Sequence, residues 1–224
     1  MARNLILSGG AFHDFAATSE ALAEVLTEVG VDSEITEDIA GALEDRPEVQ
    51  LITVNALRCR MTDGRYGDQA ARWRFELSAE ARTALLDHLD RGYGLLAVHA
   101  ATLCFDDWRG WPRVVGACWN PGKSHHPPLG WTEVRVLGGH PIVDGLRDFD
   151  VVDEVYSDLD VLPDVRPLAS AHGQPLLWAR TVRRGRVVYD ALGHDVRSFD
   201  SPVHRRLLQR AALWLLKRPV VLGD

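Results

Sequence analysis

Cysteine is scarce in this chain: Cys59, Cys104 and Cys118 are the only three among 224 residues. An odd number, without the paired spacing of zinc sites, argues against a disulfide framework and against a thiolate metal site. Basic residues are in deficit as well, 25 Lys and Arg against 32 Asp and Glu for a net charge of -7. No basic stripe is long enough to follow a phosphate backbone, so nucleic acid is not an expected partner. Long apolar runs are also missing. The opening "NLILSGG" breaks on glycines before it reaches signal-peptide length, and no segment can span a bilayer, so a cytoplasmic protein with no membrane partner is expected. Internal repeats and low-complexity tracts are absent.

What is present suffices for one sizeable domain over residues 1–224 with a complete core. "NLILSGG" reads as a buried strand, and Leu22, Val25, Leu26 and Val29 recur at helical spacing before Gly30. "VQLITVNA" is too continuously apolar for a sheet with one wet face and is placed centrally. A helix over about Ser78 to Arg91 leads into the strand "GLLAV". This alternation predicts an α/β fold with a mostly parallel, doubly wound sheet. The second half changes character. "WTEVRVL", "VVDEVYSDL" and "VRPLASAH" read as short strands, and "PLLWARTVRRGRVVYDALGH" reads as a hairpin turning near Arg184 and Gly185, which adds antiparallel strands. Ser201 and Pro202 open a last helix whose buried stripe is Leu207, Leu208, Ala211 and Leu215. The long irregular stretch from about residue 58 to 78 is a candidate lid or subunit contact, with Trp73 its best aromatic anchor and Arg58, Arg60 and Arg65 nearby.

The stretch "AVHAA" has the shape of a nucleophile elbow, with small Ala97 and Ala101 flanking the central residue. That residue is His99, so acyl-enzyme chemistry loses its Ser or Cys, and Cys104 is expected to be a buried, inert thiol. In an open α/β sheet, ligands sit beyond the carboxyl ends of the strands. There the sequence puts His13 and Asp14 after two glycines, then His99, then Glu154 and Tyr156, then His194 and Asp195. If the three imidazoles converge, with Asp14, Glu154 or Asp195 fixing a tautomer, they suit proton transfer or a divalent metal such as zinc. Each also has a plain structural role open to it. His99 can tie down a backbone carbonyl, Asp14 can cap a helix, and His140 before Pro141 can shape a turn. As a rim residue His99 is expected to add little burial. His88, His172 and His204 are read as structural or surface residues.

Trp108, Trp111 and Trp119 follow the elbow together with Asn120 and Lys123. Aromatic faces beside hydrogen-bonding groups are what a pyranose ring requires. His126 and Tyr156 join them as candidate substrate contacts, while Trp131, Trp178 and Trp214 are assigned to the core.

"GGAFHDF", "GYGLLAVHAAT", "HPIVDGL" with "DEVYSDL", and "GRVVYDALGHD" before "LWLL" together resemble the trehalose-utilisation (ThuA-like) family, in order and over most of the chain. The resemblance implies a flavodoxin-like three-layer sandwich related to class I glutamine amidotransferases. It puts His99 in the amidotransferase cysteine position and His194 near that of the triad histidine, so no glutaminase activity is expected. It further implies a small-molecule sugar as partner, a disaccharide or its oxidised keto derivative, for a hydrolase or isomerase working by acid-base or metal-assisted chemistry. The alternative is a non-catalytic sugar-binding or assembly protein on the same scaffold, and a homo-oligomer fits either.

Overall fold

Residues 1–45 and 48–220 are described by a computed structural model of the chain. Its elements run β1 (Ala2–Gly10), α1 (Phe15–Thr27), β2 (Val31–Thr36), α2 (Ile39–Asp45), β3 (Leu51–Leu57), α3 (Gln69–Trp73), α4 (Ala79–Asp90), β4 (Gly94–Val98), α5 (Trp111–Val115) and β5 (Ala117–Cys118). They continue as β6 (Gly130–Val136), β7 (Phe149–Asp153), β8 (Asp160–Val161), β9 (Pro167–Ala171), β10 (Gln174–Val182), β11 (Gly185–Asp190) and α6 (Pro202–Leu215). One large sheet has the order β2-β1-β3-β4-β11-β10-β9-β6-β7. The first five strands are parallel, and the rest are added by antiparallel pairing. The fold is thus the mostly parallel α/β sheet read from the sequence, with its antiparallel additions in the second half.

Chirality turns this order into layers. The β1-α1-β2 crossover steps one way along the sheet and β3-α4-β4 steps the other, so right-handed connections put α1 and α4 on opposite faces. α6 then packs on α1, and α2 on α4. Between these layers every residue of β3 and β4 is buried, as continuous apolar strands of a parallel sheet must be. Leu5, Ile6, Leu7, Ile52, Val54, Leu95, Leu96 and Val98 all lie in this buried core. The helices start where their caps say they should. Asp14 accepts from the Ala17 amide and Ser78 from the Ala81 amide.

Direction decides where the site forms. From β11 to β7 the sheet reverses four times, so β7 runs parallel to β11 again. The carboxyl ends of β1, β4, β7 and β11 therefore face one edge.

Several expectations need correction. The stretch "DEVYSDL" is not strand, because β7 ends at Asp153 and the chain there leaves the sheet for the site. Beyond His99 the backbone makes a 3-10 turn over His99–Leu103 instead of an α-helix, with Cys104 as its extended cap. Trp131 is not core but 79% exposed, since it lies on the wet face of β6. Trp178 is buried with its N–H bonded to the Val115 carbonyl at 2.8 Å, and Trp214 is half-buried under the Arg186 guanidinium. The glycine next to Ala11 has a packing reason. A Cβ on Gly10, whose φ is +147, would stand 2.3 Å from the Leu57 carbonyl oxygen, so this glycine lets β1 lie against β3. The stretch from Arg58 to Leu77 folds back locally: Trp73 covers Gly9, and the Arg58 guanidinium sits over Trp73 and Phe75.

Gly10→Ala is expected to destabilise the protein by roughly 2–4 kcal/mol in urea titrations, since backbone and not a movable side chain blocks the new methyl group. His88 supplies a pH test. It is buried and donates Nε2–H to the Gly94 carbonyl at 2.8 Å, and burial lowers its pKa from 6.5 to about 4. The unfolded chain therefore takes up the proton first. Stability contributed by the neutral ring is present above pH 6.5 and lost as pH falls toward about 4, at up to about 1.4 kcal/mol per pH unit. His88→Gln should flatten the acid limb of stability against pH by up to one proton.

Candidate metal centre

The elbow exists as a strained turn: His99 has a positive φ of 45°, which a non-glycine residue holds only when its surroundings enforce it. Two bonds do so. Its Nδ1–H donates to the Ala191 carbonyl at 2.7 Å, and the buried Tyr189 hydroxyl donates to the His99 carbonyl at 2.9 Å. The side chain is not on an open rim. His99 is 1% exposed, which overturns the expectation of little burial.

Three imidazoles meet there. Ring centroids of His13 and His99 are 5.1 Å apart, of His13 and His194 4.7 Å, and of His99 and His194 5.3 Å. Glu154 closes the group, and one ligand atom from each of the four lies within 4.8 Å of all the others. His13 gives its Nδ1–H to the Ala11 carbonyl at 3.0 Å, so in both His13 and His99 the bare lone pair is left on Nε2. Those two Nε2 atoms and Nδ1 of His194 are buried and without hydrogen-bond partners. His194 Nδ1 is 3.1 Å from Glu154 Oε2 but off the direction a hydrogen bond needs, and His99 Nε2 is 4.0 Å from the same oxygen.

Electrostatics keeps the first two rings neutral. Burial lowers the His13 pKa from 6.5 to about 4, helped by the neighbouring His194, and burial takes His99 well below its ordinary value. For His194 burial also works downward, but the Glu154 carboxylate 3.1 Å from its Nδ1 outweighs it and the pKa rises. Burial likewise holds the Tyr156 phenol well above its usual range, so it stays a neutral O–H beside His99, with ring centroids 4.3 Å apart. The opposite oxygen of Glu154, Oε1, faces Nδ1 of His126 at 3.3 Å.

A network not apparent in the sequence holds the fourth strand end in place. Asp153 accepts the amides of Gly193 at 2.7 Å, His194 at 3.2 Å and Glu154 at 2.8 Å, so one carboxylate fixes the loops of two site residues. Asp190 accepts the Leu192 amide at 3.0 Å and pairs with Nε2 of His204 at 2.8 Å, while His204 Nδ1 reaches the Ser198 carbonyl at 2.9 Å. Nε2 facing the Asp190 carboxylate and Nδ1 facing the Ser198 carbonyl favour the protonated ring, with the Ser198 hydroxyl also 3.0 Å from Nδ1. Burial opposes that charge and Asp190 overcomes it, raising the pKa. One signal was available: His204 falls in helical phase with Leu207, Leu208, Ala211 and Leu215, which puts it on the buried stripe.

Other candidates are placed elsewhere. Asp14 is an exposed N-cap and Asp195 caps the next 3-10 turn while pairing with Arg197, so neither carboxylate belongs to the four-residue group. Asn120 and Lys123 both bind Asp160, at 2.7 and 2.6 Å, and do not line the cavity beside the histidines. Trp111 is a core residue with its N–H on the Ala101 carbonyl at 2.8 Å. Cys104 is buried with Sγ–H directed to the Ala56 carbonyl, and burial pushes its thiol up to about 12, as an inert cysteine requires. Trp119, His126, Glu154, Tyr156, His13 and His194 do share one cavity of about 380 Å³, which Phe12 and Tyr66, missed by sequence reasoning, also line.

The sequence profile of the trehalose utilisation (ThuA) family matches residues 3–215. No curated protein matches the chain in sequence. Among solved structures, a putative ThuA-like protein from Parabacteroides merdae superposes with a TM-score of 0.79 at 19% identity, over 99% of this chain and 92% of that one. A cytoplasmic protein of Salmonella typhimurium LT2 matches with a TM-score of 0.65 at 14% identity, over 96% and 99% of the two chains. The β-galactosidase of Rahnella sp. R3 matches with a TM-score of 0.62 at 14% identity, over 98% of this chain but 32% of the enzyme. At these identities the structures share a fold. No helix among the described residues is long and apolar enough to cross a membrane.

Asp153→Asn tests the support of the site. An amide keeps one acceptor oxygen where three amides need two, so a loss of about 2–3 kcal/mol in denaturant titrations is expected.

Proposed function

The chain belongs to the trehalose utilisation (ThuA) family, and from that membership we propose that it processes a sugar at a divalent metal centre held by His13, His99, His194 and Glu154. The observation that carries this is the set of three buried imidazole nitrogens with no partner, pointed at one another around a carboxylate. Leaving such atoms unsatisfied costs roughly 1–3 kcal/mol each, and a cation removes that cost where another hydrogen bond cannot. Nitrogen and carboxylate donors suit zinc or a related ion, and the backbone acceptors Ala11 and Ala191 are the kind of support metal-binding histidines have. A bound ion would supply Lewis-acid polarisation of a sugar oxygen.

The chain's own residues account for the remaining work. Glu154 accepts a proton on the oxygen facing His126, whose exposed imidazole links the cavity to solvent. Tyr156 keeps a neutral O–H beside the site, a donor to a sugar hydroxyl or carbonyl. Phe12 and Trp119 offer faces to a pyranose. With histidine at the elbow and the Cys104 thiol pushed up to about 12, acyl-transfer chemistry has no nucleophile. The substrate proposed is a disaccharide or its oxidised keto derivative, transformed by hydrolysis or isomerisation, in a protein of the cytoplasm.

Elemental analysis of protein purified without an affinity tag should find about one equivalent of a divalent metal, lowered at least tenfold in Glu154→Gln and His194→Ala. These two variants are chosen because His99→Ala would also orphan the Ala191 carbonyl and lower stability. Turnover of trehalose or its keto derivative, followed by proton NMR, should fall with the metal. Wild-type protein that takes up no metal overturns the centre, and sugar binding without turnover returns the protein to a non-catalytic role.

A further inference from the structure

Resting on the reading of a sugar at the metal centre, we propose that a second cavity beside it is an aglycone subsite, built for a flat apolar or aromatic group joined to that sugar. This cavity, of about 360 Å³, shares Arg65, Tyr66, Leu103 and Trp119 with the cavity that holds the histidines. A ligand that occupies both would therefore cross these four residues. A second pyranose would bring several hydroxyl groups, each needing a partner when buried. The half-buried and buried polar groups nearby are already committed, which leaves the exposed Arg109 aside. Asn120 and Lys123 are held by Asp160, Trp111 N–H by Ala101, and Arg60 by Asp106. Thr102 faces the Tyr189 hydroxyl. What the cavity offers instead is ring and aliphatic surface from Trp108, Leu103 and Pro112, and its charged lining residues Arg60, Arg65, Asp106 and Arg109 are all exposed ones. Trp119, on the shared wall, has a buried indole N–H with no acceptor, which the oxygen joining sugar to aglycone would supply. The two cavities thus differ in chemistry as the two halves of an aryl glycoside do.

Calorimetry on the full chain with 4-nitrophenyl α-glucopyranoside, methyl α-glucopyranoside and trehalose as probes decides it. The aryl glycoside should bind at least about tenfold more tightly than either of the others. That ratio should fall toward one in Trp108→Ala and in Cys118→Phe, a variant that fills the same cavity from β5 and guards against a misfolded tryptophan variant. Equal affinity for aryl and methyl glycosides in wild type overturns the subsite, and so does tighter binding of trehalose, which would make it a second sugar site. Repetition after chelation separates this from the metal reading, with 4-nitrophenol alone as a further probe. The phenol should bind chelated and untreated protein alike, and phenol affinity that Cys118→Phe leaves unchanged overturns the aglycone cavity even where metal is found.

Discussion

The bond from His99 Nδ1 to the Ala191 carbonyl is the constraint on which the site depends. It joins the ends of two neighbouring parallel strands, fixes a strained backbone turn, and dictates which nitrogen of the ring faces inward. Without it the elbow would relax and the lone pair on Nε2 would have no assigned direction. The same residue of the acceptor strand leads directly into the loop that carries His194. One hydrogen bond therefore sets the tautomer of one imidazole and ties down the start of the loop that carries another.

Around that bond the protein arranges charge economically. Buried His204 pairs with Asp190 at the base of the loop, and Asp153 is held by three amides. Glu154 is then the single carboxylate within the histidine group, facing rings that burial keeps neutral on two sides.

Much of this was legible in the residues because strand ends announce themselves. Continuous Val, Ile and Leu marked the central strands, and what followed each strand was polar, so His13, His99 and His194 were found from position alone. The parallel direction of β7 was not legible, since it depends on four reversals through strands of weak pattern, and Glu154 was accordingly only one of three carboxylates in view. Asp153 and His204 were missed for a different reason. Two of the three partners of Asp153 lie 40 and 41 residues away in the chain, the Asp190 partner of His204 lies on a separate element, and no local rule reports such pairs. Asn120 and Lys123 are held by Asp160 and Trp111 lies in the core, because a residue type suited to a sugar is equally suited to a loop or a core.

The place of β11 in the sheet has a consequence for biosynthesis. β4 is apolar throughout and sits at the middle of the finished sheet, yet its partner on one side is made only when residues 185–190 leave the ribosome. Until then β4 is an open edge, with unpaired amides and carbonyls on a strand of Leu, Ala and Val. The growing chain must pass through this interval with its most adhesive strand uncovered, and any pause between residues 98 and 185 lengthens it. Synonymous codon choice in that interval, or a chaperone that shields an exposed strand edge, would thereby govern how much active protein a cell obtains, independently of the stability of the folded state.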